Sequence, residues 1–85
     1  MADMMKLAAN AKIGLERVTG LRGSSVIGLT PEEGHWTVTV EMLEKKSIPD
    51  AMDILGVYEV KMSEEGNVLD FARTRLRKRG DTSEA

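Results

Sequence analysis

A row of basic residues near the end of the chain is the clearest pattern in this sequence that could support chemistry. Arg73, Arg75 and Arg77 alternate along the chain. Lys78 and Arg79 extend the positive charge. In a β-strand, residues two apart lie on one face about 6.5–7 Å from each other. Such a row could bind a phosphate backbone, pair with acidic residues of another protein, or protect an edge strand from self-pairing.

A pair of aspartates, Asp50 and Asp53, follows Pro49 three residues apart. On one helical turn they would share a face and resemble a carboxylate pair. Acid–base chemistry by such a pair requires a cleft and a raised pKa, and the sequence indicates neither. We therefore interpret both aspartates as residues that cap and stabilise a turn.

Other common catalytic and metal-binding patterns are missing from the sequence. His35 is the only histidine and has no second ligand at metal-binding spacing, so we interpret it as an incidental turn residue. The chain has no cysteine, which excludes disulfides, thiolate nucleophiles and cysteine-based zinc sites. Its glycines match neither nucleotide-binding fingerprint. The sequence predicts no enzyme, no metal and no cofactor.

Composition indicates a small globular protein. The chain has 85 residues, of which 31% are charged and 41% hydrophobic. A chain of this size buries only about 60–65% of its unfolded surface, so self-association or a partner would add to its stability. No apolar run approaches the roughly 20 residues that span a bilayer, and no signal peptide is visible. We expect a cytoplasmic protein that does not enter a membrane.

Charge is distributed unevenly along the chain, although the net charge is only −2. Residues 23–72 contain ten acidic and three basic side chains, a balance of −7. Residues 73–79 contain five basic side chains and no acidic one. The protein therefore has an acidic body and a basic end.

Hydrophobic periodicity predicts an N-terminal helix over about residues 3–19. Asp3 is a suitable N-cap. Apolar residues then recur at spacings of three and four: Met4, Leu7, Ala8, Ala11, Leu15 and Val18. Gly20 provides the stop signal.

Four strands are predicted after the helix, at about residues 25–30, 35–44, 54–62 and 68–77. Apolar residues alternate with polar ones from Trp36, which we expect to anchor the core. Gly34 and Gly66 lie in turns that reverse the chain, and Pro49 separates the second strand from the third. The predicted fold is α+β, an N-terminal helix packed on a four-stranded antiparallel meander in two layers. Residues 1–80 form one domain and 81–85 a frayed tail.

Three segments in order, WTVTVEMLE, IPDAMDILGVYEV and EEGNVLDFARTRLRKRG, resemble the gas vesicle protein O family of bacteria and archaea. The resemblance covers residues 35 to 80. The matching positions include Trp36, Ile48, Pro49, Asp50, Asp53, Leu55, Tyr58, Glu59, Val60, Gly66, Arg73 and Arg79, with Glu41 or Glu44 as the strand-ending glutamate. The sequence departs from the family pattern at Ser47, Ser63 and Leu76-Arg77.

The resemblance implies a non-enzymatic accessory protein of gas vesicle formation. Its expected partners are other gas vesicle proteins, accessory and shell proteins alike, in the cytoplasm or at the vesicle. We hypothesise that docking is guided by electrostatic attraction. The basic docking residues would be Arg73, Arg75, Arg77 and Arg79. The acidic docking residues would be Glu41, Glu44, Asp50, Asp53 and Glu59.

Two alternatives remain at this point. The basic strand could serve a small nucleic-acid-binding regulator, although the acidic composition and the single phenylalanine disfavour it. The domain could also self-associate as a homo-oligomer.

Overall fold

A computed structural model describes residues 4–80 and contains one α-helix followed by a four-stranded sheet. The elements are α1 (Met4–Thr19), β1 (Arg22–Glu32), β2 (His35–Lys45), β3 (Ile54–Met62) and β4 (Val68–Lys78), with one 3₁₀ turn at Asp50–Met52. The strands are antiparallel and lie in the order β1-β2-β3-β4. The predicted helix and antiparallel meander are therefore confirmed. The predicted N-cap at Asp3 and the predicted frayed tail at 81–85 lie outside the described residues.

The largest boundary error of the prediction is in β1, which spans Arg22–Glu32 instead of residues 25–30. The pairing of β1 with β2 shifts at two places, and these shifts leave Ser24 and Ile27 without an opposite residue. Each extra residue reverses the phase of the alternation. The strand therefore continues where a strict period of two would end it.

The core lies between α1 and one face of the sheet, which we call the covered face. The helix contributes Leu7, Ala11 and Leu15, spaced four apart and all buried. The strands contribute Val38, Val40, Met42, Tyr58, Val60 and Met62. Trp36 and Phe71 are partly buried against this cluster, so Trp36 packs against the core without being enclosed in it. Residues four apart on a helix and two apart on a strand share a face, so the two periodicities meet in one apolar layer.

Two glycine turns close the hairpins. Gly34 joins β1 to β2 with φ 83°, and Gly66 joins β3 to β4 with φ 93°. Both angles lie in the left-handed region that glycine adopts without steric cost. The Gly66 carbonyl also accepts a hydrogen bond from the Asn10 side-chain amide at 3.1 Å, which ties this hairpin to α1.

Candidate interaction surface

The basic residues of β4 are divided between the two faces of the sheet. Arg73 pairs with Tyr58, and Arg75 pairs with Val57. Adjacent residues of a strand point to opposite faces, so Arg73 lies on the covered face and Arg75 on the opposite face, which we call the open face. Thr74 is the extra residue between them, and its Oγ1 donates to the Val57 carbonyl at 3.1 Å. The prediction that Arg73, Arg75 and Arg77 form one row is therefore wrong.

On the open face, Arg77 forms an ion pair with Glu41 through its Nε. The Glu41 side chain is only 6% exposed and that of Arg77 25%. The Ser25 hydroxyl donates to the other carboxylate oxygen of Glu41 at 3.4 Å. The predicted acidic docking residue Glu41 is thus enclosed between β1 and β4 rather than presented to solvent.

On the covered face, a second cluster joins Glu44, Tyr58 and Arg73. The Tyr58 hydroxyl donates to Glu44 Oε2 at 2.7 Å, and Arg73 Nη1 lies 3.6 Å from Glu44 Oε1. Burial, followed by the nearby Glu44 carboxylate, raises the pKa of Tyr58 above its ordinary value. The Glu44 side chain crosses the backbone at Gly56, where a Cβ would collide with the carboxylate. Gly56 is therefore required for this arrangement.

Asp53 organises the connection between β2 and β3. Its side chain is fully buried and accepts the Ser47 N–H at 2.7 Å and Arg79 Nε at 3.1 Å. Lys46 Nζ lies 3.5 Å away. These contacts hold the pKa of Asp53 below its ordinary value, although burial opposes them. The hydrogen bond from the Ser47 N–H is the largest cause. The turn-stabilising interpretation of Asp53 agrees with this geometry.

Asp50 lies at the start of the 3₁₀ turn and remains exposed. Lys46 Nζ contacts Asp50 Oδ1 at 2.6 Å, and this contact is the main cause of the raised pKa of Lys46. The Ile48–Pro49 peptide bond in this connection is cis. Backbone bonds from Arg79 N–H to the Asp53 carbonyl and from Gly80 N–H to the Ala51 carbonyl join the end of β4 to the turn.

The structure thus brings together most residues of the predicted docking surface, but as pairs within the chain. Arg73, Arg77 and Arg79 each contact a predicted acidic docking residue, respectively Glu44, Glu41 and Asp53. The members with substantial exposure are Asp50, Glu59, Arg73, Arg75 and Arg79.

Sequence reasoning missed the contacts of four residues in these clusters: Ser25, Lys46, Ser47 and Tyr58. Lys46 stands four residues before Asp50, a spacing at which opposite charges can meet, and this signal could have identified it. A buried tyrosine hydroxyl requires a hydrogen-bond partner, which is a general reason to look for one near Tyr58. The backbone donor of Ser47 has no signal in the sequence.

Features of other site classes are absent from the described part of the chain. Between residues 4 and 80, no group of three or more His, Asp or Glu side chains could hold a metal ion. No helix in that range is long and apolar enough to span a membrane. A hollow of about 180 Å³ on the sheet is lined by Thr37, Glu59, Lys61, Asp70, Phe71 and Ala72.

Comparison with known proteins gives a consistent result. The family model described as "Gas vesicle synthesis protein GvpO" matches residues 1–83. A gas vesicle protein O from Streptomyces sp. (strain CB03234) is 34% identical over 76 residues, which is 89% of this chain and 59% of the relative. Gas vesicle protein O of Haloferax mediterranei is 35% identical over 49 residues, 58% of this chain and 35% of the relative.

A third relative, gas vesicle protein O1 of Halobacterium salinarum, is 36% identical over 53 residues, 62% of this chain and 44% of the relative. The chain therefore spans about half the length of the curated relatives that it matches. No solved structure matches.

Proposed function

Because the chain belongs to the gas vesicle synthesis protein GvpO family, we propose that it supports gas vesicle formation by binding other gas vesicle proteins, without catalysing a reaction. The match of the family model to residues 1–83 carries this proposal. It acts in the cytoplasm, beside the forming vesicle. Its partners are accessory or shell proteins of the same system.

The edge strand β4 is the surface that we propose for these contacts. Arg75 and Lys78 are exposed, and the Arg73 and Arg79 side chains are 49% and 41% exposed. A guanidinium has five N–H donors, so an arginine with one carboxylate partner in its own chain retains donors for another. These arginines would meet an acidic patch of the partner protein. Glu59 and Asp50 would offer exposed carboxylates for a basic patch.

Glu41, Arg77 and Asp53 contribute to this surface indirectly. Their side chains are at least three-quarters buried and contact other residues of the chain. They hold β4 and its arginines against β2 and β3. A docking test should leave these three residues unchanged, because their loss would alter the fold as well as the surface.

The test is retention of gas vesicle proteins by the tagged chain from cells that form vesicles. The double variant Arg73→Gln/Arg75→Gln removes two exposed charges of β4. The control Arg17→Gln/Lys45→Gln removes two exposed charges elsewhere. We expect the β4 variant to lose the gas vesicle proteins and the control to retain them, with both keeping the circular dichroism of the native chain. Equal retention by the two variants would exclude the β4 surface.

The role in vesicle formation has a separate test. Cells that lack the protein should form fewer vesicles, and expression of the native chain should restore them, as measured by pressure-sensitive light scattering. Normal vesicle formation without the protein would refute the proposed function. Filter binding to RNA and DNA at low salt tests the nucleic-acid alternative, since phosphate contacts weaken steeply as salt rises. Binding with that salt dependence would favour the alternative.

A further inference from the structure

The two edges of the sheet have different charge patterns. In the order β1-β2-β3-β4, both β1 and β4 are edge strands. Edge strands offer backbone groups to other strands, and charged side chains commonly prevent such pairing. The edge strand β4 carries four basic residues between 73 and 78. The strand β1 carries charge only at its two ends, Arg22 and Glu32, and residues 23–31 between them are uncharged.

An apolar groove lies between the start of α1 and β1. Its volume is about 470 Å³. It is lined by Met4, Met5, Ala8, Val26, Ile27, Gly28 and Leu29. Met4, Met5 and Ile27 are 54%, 83% and 50% exposed. Exposed apolar patches of this kind commonly mark interaction sites, and methionine adapts its shape to a contacting surface.

The two charges of β1 are arranged symmetrically about Gly28. Arg22 pairs with Leu43 and Glu32 pairs with His35, two β2 residues eight positions apart. Both charged side chains therefore lie on the same face of the sheet, the open face. Gly28 pairs with Thr39, which stands four positions from each of these β2 residues, because the extra residues Ser24 and Ile27 have no partner in β2. If two copies of β1 were placed antiparallel about Gly28, Arg22 of each copy would lie opposite Glu32 of the other.

We propose that the β1 edge and its groove bind a second copy of this chain, in antiparallel register about Gly28. The two sheets join into one sheet of eight strands, and a two-fold axis perpendicular to it passes at Gly28. Both helices then lie on the same side of the joined sheet. The methionines at the start of α1 in the two copies approach each other across the axis, which removes the groove from water.

The two kinds of contact have different roles in this dimer. Exposed ion pairs add little to affinity. The Arg22 and Glu32 pairs therefore select the antiparallel register, since any other register leaves the charges apart or places like charges together. Burial of Met4, Met5 and Ile27 supplies most of the affinity. The dimer requires no gas vesicle partner, so it can be tested on the purified chain independently of the proposed function.

Sedimentation velocity over a series of concentrations tests the interface. We expect the native chain to change from monomer to dimer as the protein concentration rises. The variant Ile27→Lys places a charge next to the axis and should raise the concentration needed for dimer formation at least about tenfold. Ile48→Lys is the matched control, because Ile48 is 97% exposed and lies between β2 and β3. A native chain that stays monomeric, or equal effects of the two lysines, would overturn the proposal.

Charge exchange tests the register. Arg22→Glu alone and Glu32→Arg alone each create two like-charge contacts across the axis, and each should weaken the dimer several-fold at low salt. The double variant Arg22→Glu/Glu32→Arg restores opposite charges and should restore the native affinity. If the double variant dimerises more weakly than either single variant, the register about Gly28 is wrong.

A cysteine variant tests the axis without adding a charge. The native chain has no cysteine, so Gly28→Cys introduces one thiol per copy. A Cβ at this position would approach Thr39 to 3.4 Å, an ordinary contact distance. Directly opposed strand residues have a Cα separation of about 4.5–5.5 Å, which a disulfide can bridge. We expect Gly28→Cys to form a disulfide-linked dimer under mild oxidation much faster than Ile48→Cys does. Equal rates would overturn the proposal.

Discussion

The covered and open faces of the sheet both contain buried side chains, but different contacts bury them. On the covered face, α1 lies over an apolar layer that includes Val40 and Met42. On the open face, Leu55 and Val57 are also buried, at 1% and 4% exposure. Their cross-strand neighbours in β4 are Arg77 and Arg75. The aliphatic stem of arginine can cover apolar surface while its charged end pairs or stays in water.

This difference has a consequence for stability and for function. Apolar burial under the helix does not depend on charge. Burial on the open face depends on the Arg77–Glu41 pair, because a buried carboxylate without its partner is strongly unfavourable. Arg77 therefore serves the fold first. The docking proposed above would use the other arginines of this end of the chain, Arg73, Arg75 and Arg79, whose side chains are more exposed.

The largest expected effect is on the covered face. Leu15→Ala removes a side chain that is 1% exposed and leaves a cavity between α1 and the sheet. We expect a loss of about 2–5 kcal/mol in the free energy of unfolding, measured by urea denaturation. The control Val18→Ala alters a side chain of the same helix that is 64% exposed and should change that free energy by less than about 0.5 kcal/mol.

The second prediction concerns the charged pair of the open face. Arg77→Ala leaves Glu41, which is 6% exposed, without its cationic partner. We expect a loss of about 2–3 kcal/mol in the free energy of unfolding. This loss is smaller than that for a fully buried pair because Arg77 reaches solvent.

A matched double variant, Glu41→Leu/Arg77→Met, sharpens this comparison. It replaces both charges with apolar side chains of similar size and should cost less than about 1 kcal/mol, since such replacements of buried pairs are often neutral. A double variant less stable than Arg77→Ala would show that the open face needs the charges themselves. The two faces would then differ more than we infer, because burial on the open face would require charged side chains.

The third prediction concerns the pH dependence of Asp53, at the rim where β4 meets the turn. Its pKa is lowered in the folded chain from an ordinary value of 3.8. The stabilisation from its ionised form is therefore complete above pH 3.8 and is lost as the pH falls through the folded pKa. Asp53→Asn keeps an acceptor for the Ser47 N–H but loses attraction to Arg79 and Lys46.

Urea denaturation of the native chain and of Asp53→Asn at several pH values measures this effect. The stability difference between the two proteins should be constant near neutral pH and should shrink below pH 3.8. A difference that stays constant across the acid range would contradict the role of the ionised carboxylate.

The smallest effect is a titration on the covered face. Tyr58 is the only tyrosine, so ultraviolet absorbance reports its ionisation directly. Its pKa should lie above 10.0 in the folded chain and return to that value in urea. The neutral phenol stabilises the fold below pH 10.0, and this stabilisation is lost as the pH rises through the folded pKa. Glu44→Gln should lower the pKa only partly, because burial is the larger cause.

The sequence predicted the apolar layer of the covered face well and the charged contacts of β4 on both faces poorly, for a physical reason. The apolar alternation from Trp36 to Met42 lies within one strand. The helical spacing of Leu7, Ala11 and Leu15 lies within one helix. Their apolar faces can therefore be identified without knowledge of the pairing. The turn at Asp53 could also be predicted without knowledge of the strand pairing.

The contacts of β4 depend instead on the register between strands. The extra residue Thr74 reverses the phase between Arg73 and Arg75, and nothing in the local pattern identifies it. The pairing of Arg77 with Glu41 joins residues 36 positions apart across an intervening strand. Spacing along the chain contains no information about such contacts.

The meander order has a consequence for how the chain folds. Every ladder joins strands that are consecutive in the sequence, so each hairpin can form soon after its second strand has been synthesised. Such local pairing favours rapid folding. The helix is synthesised before the sheet, yet its apolar stripe packs against β2 and β3, which end at Lys45 and Met62. During synthesis, Leu7, Ala11 and Leu15 therefore lack most of their buried partners until Met62 has been added to the chain.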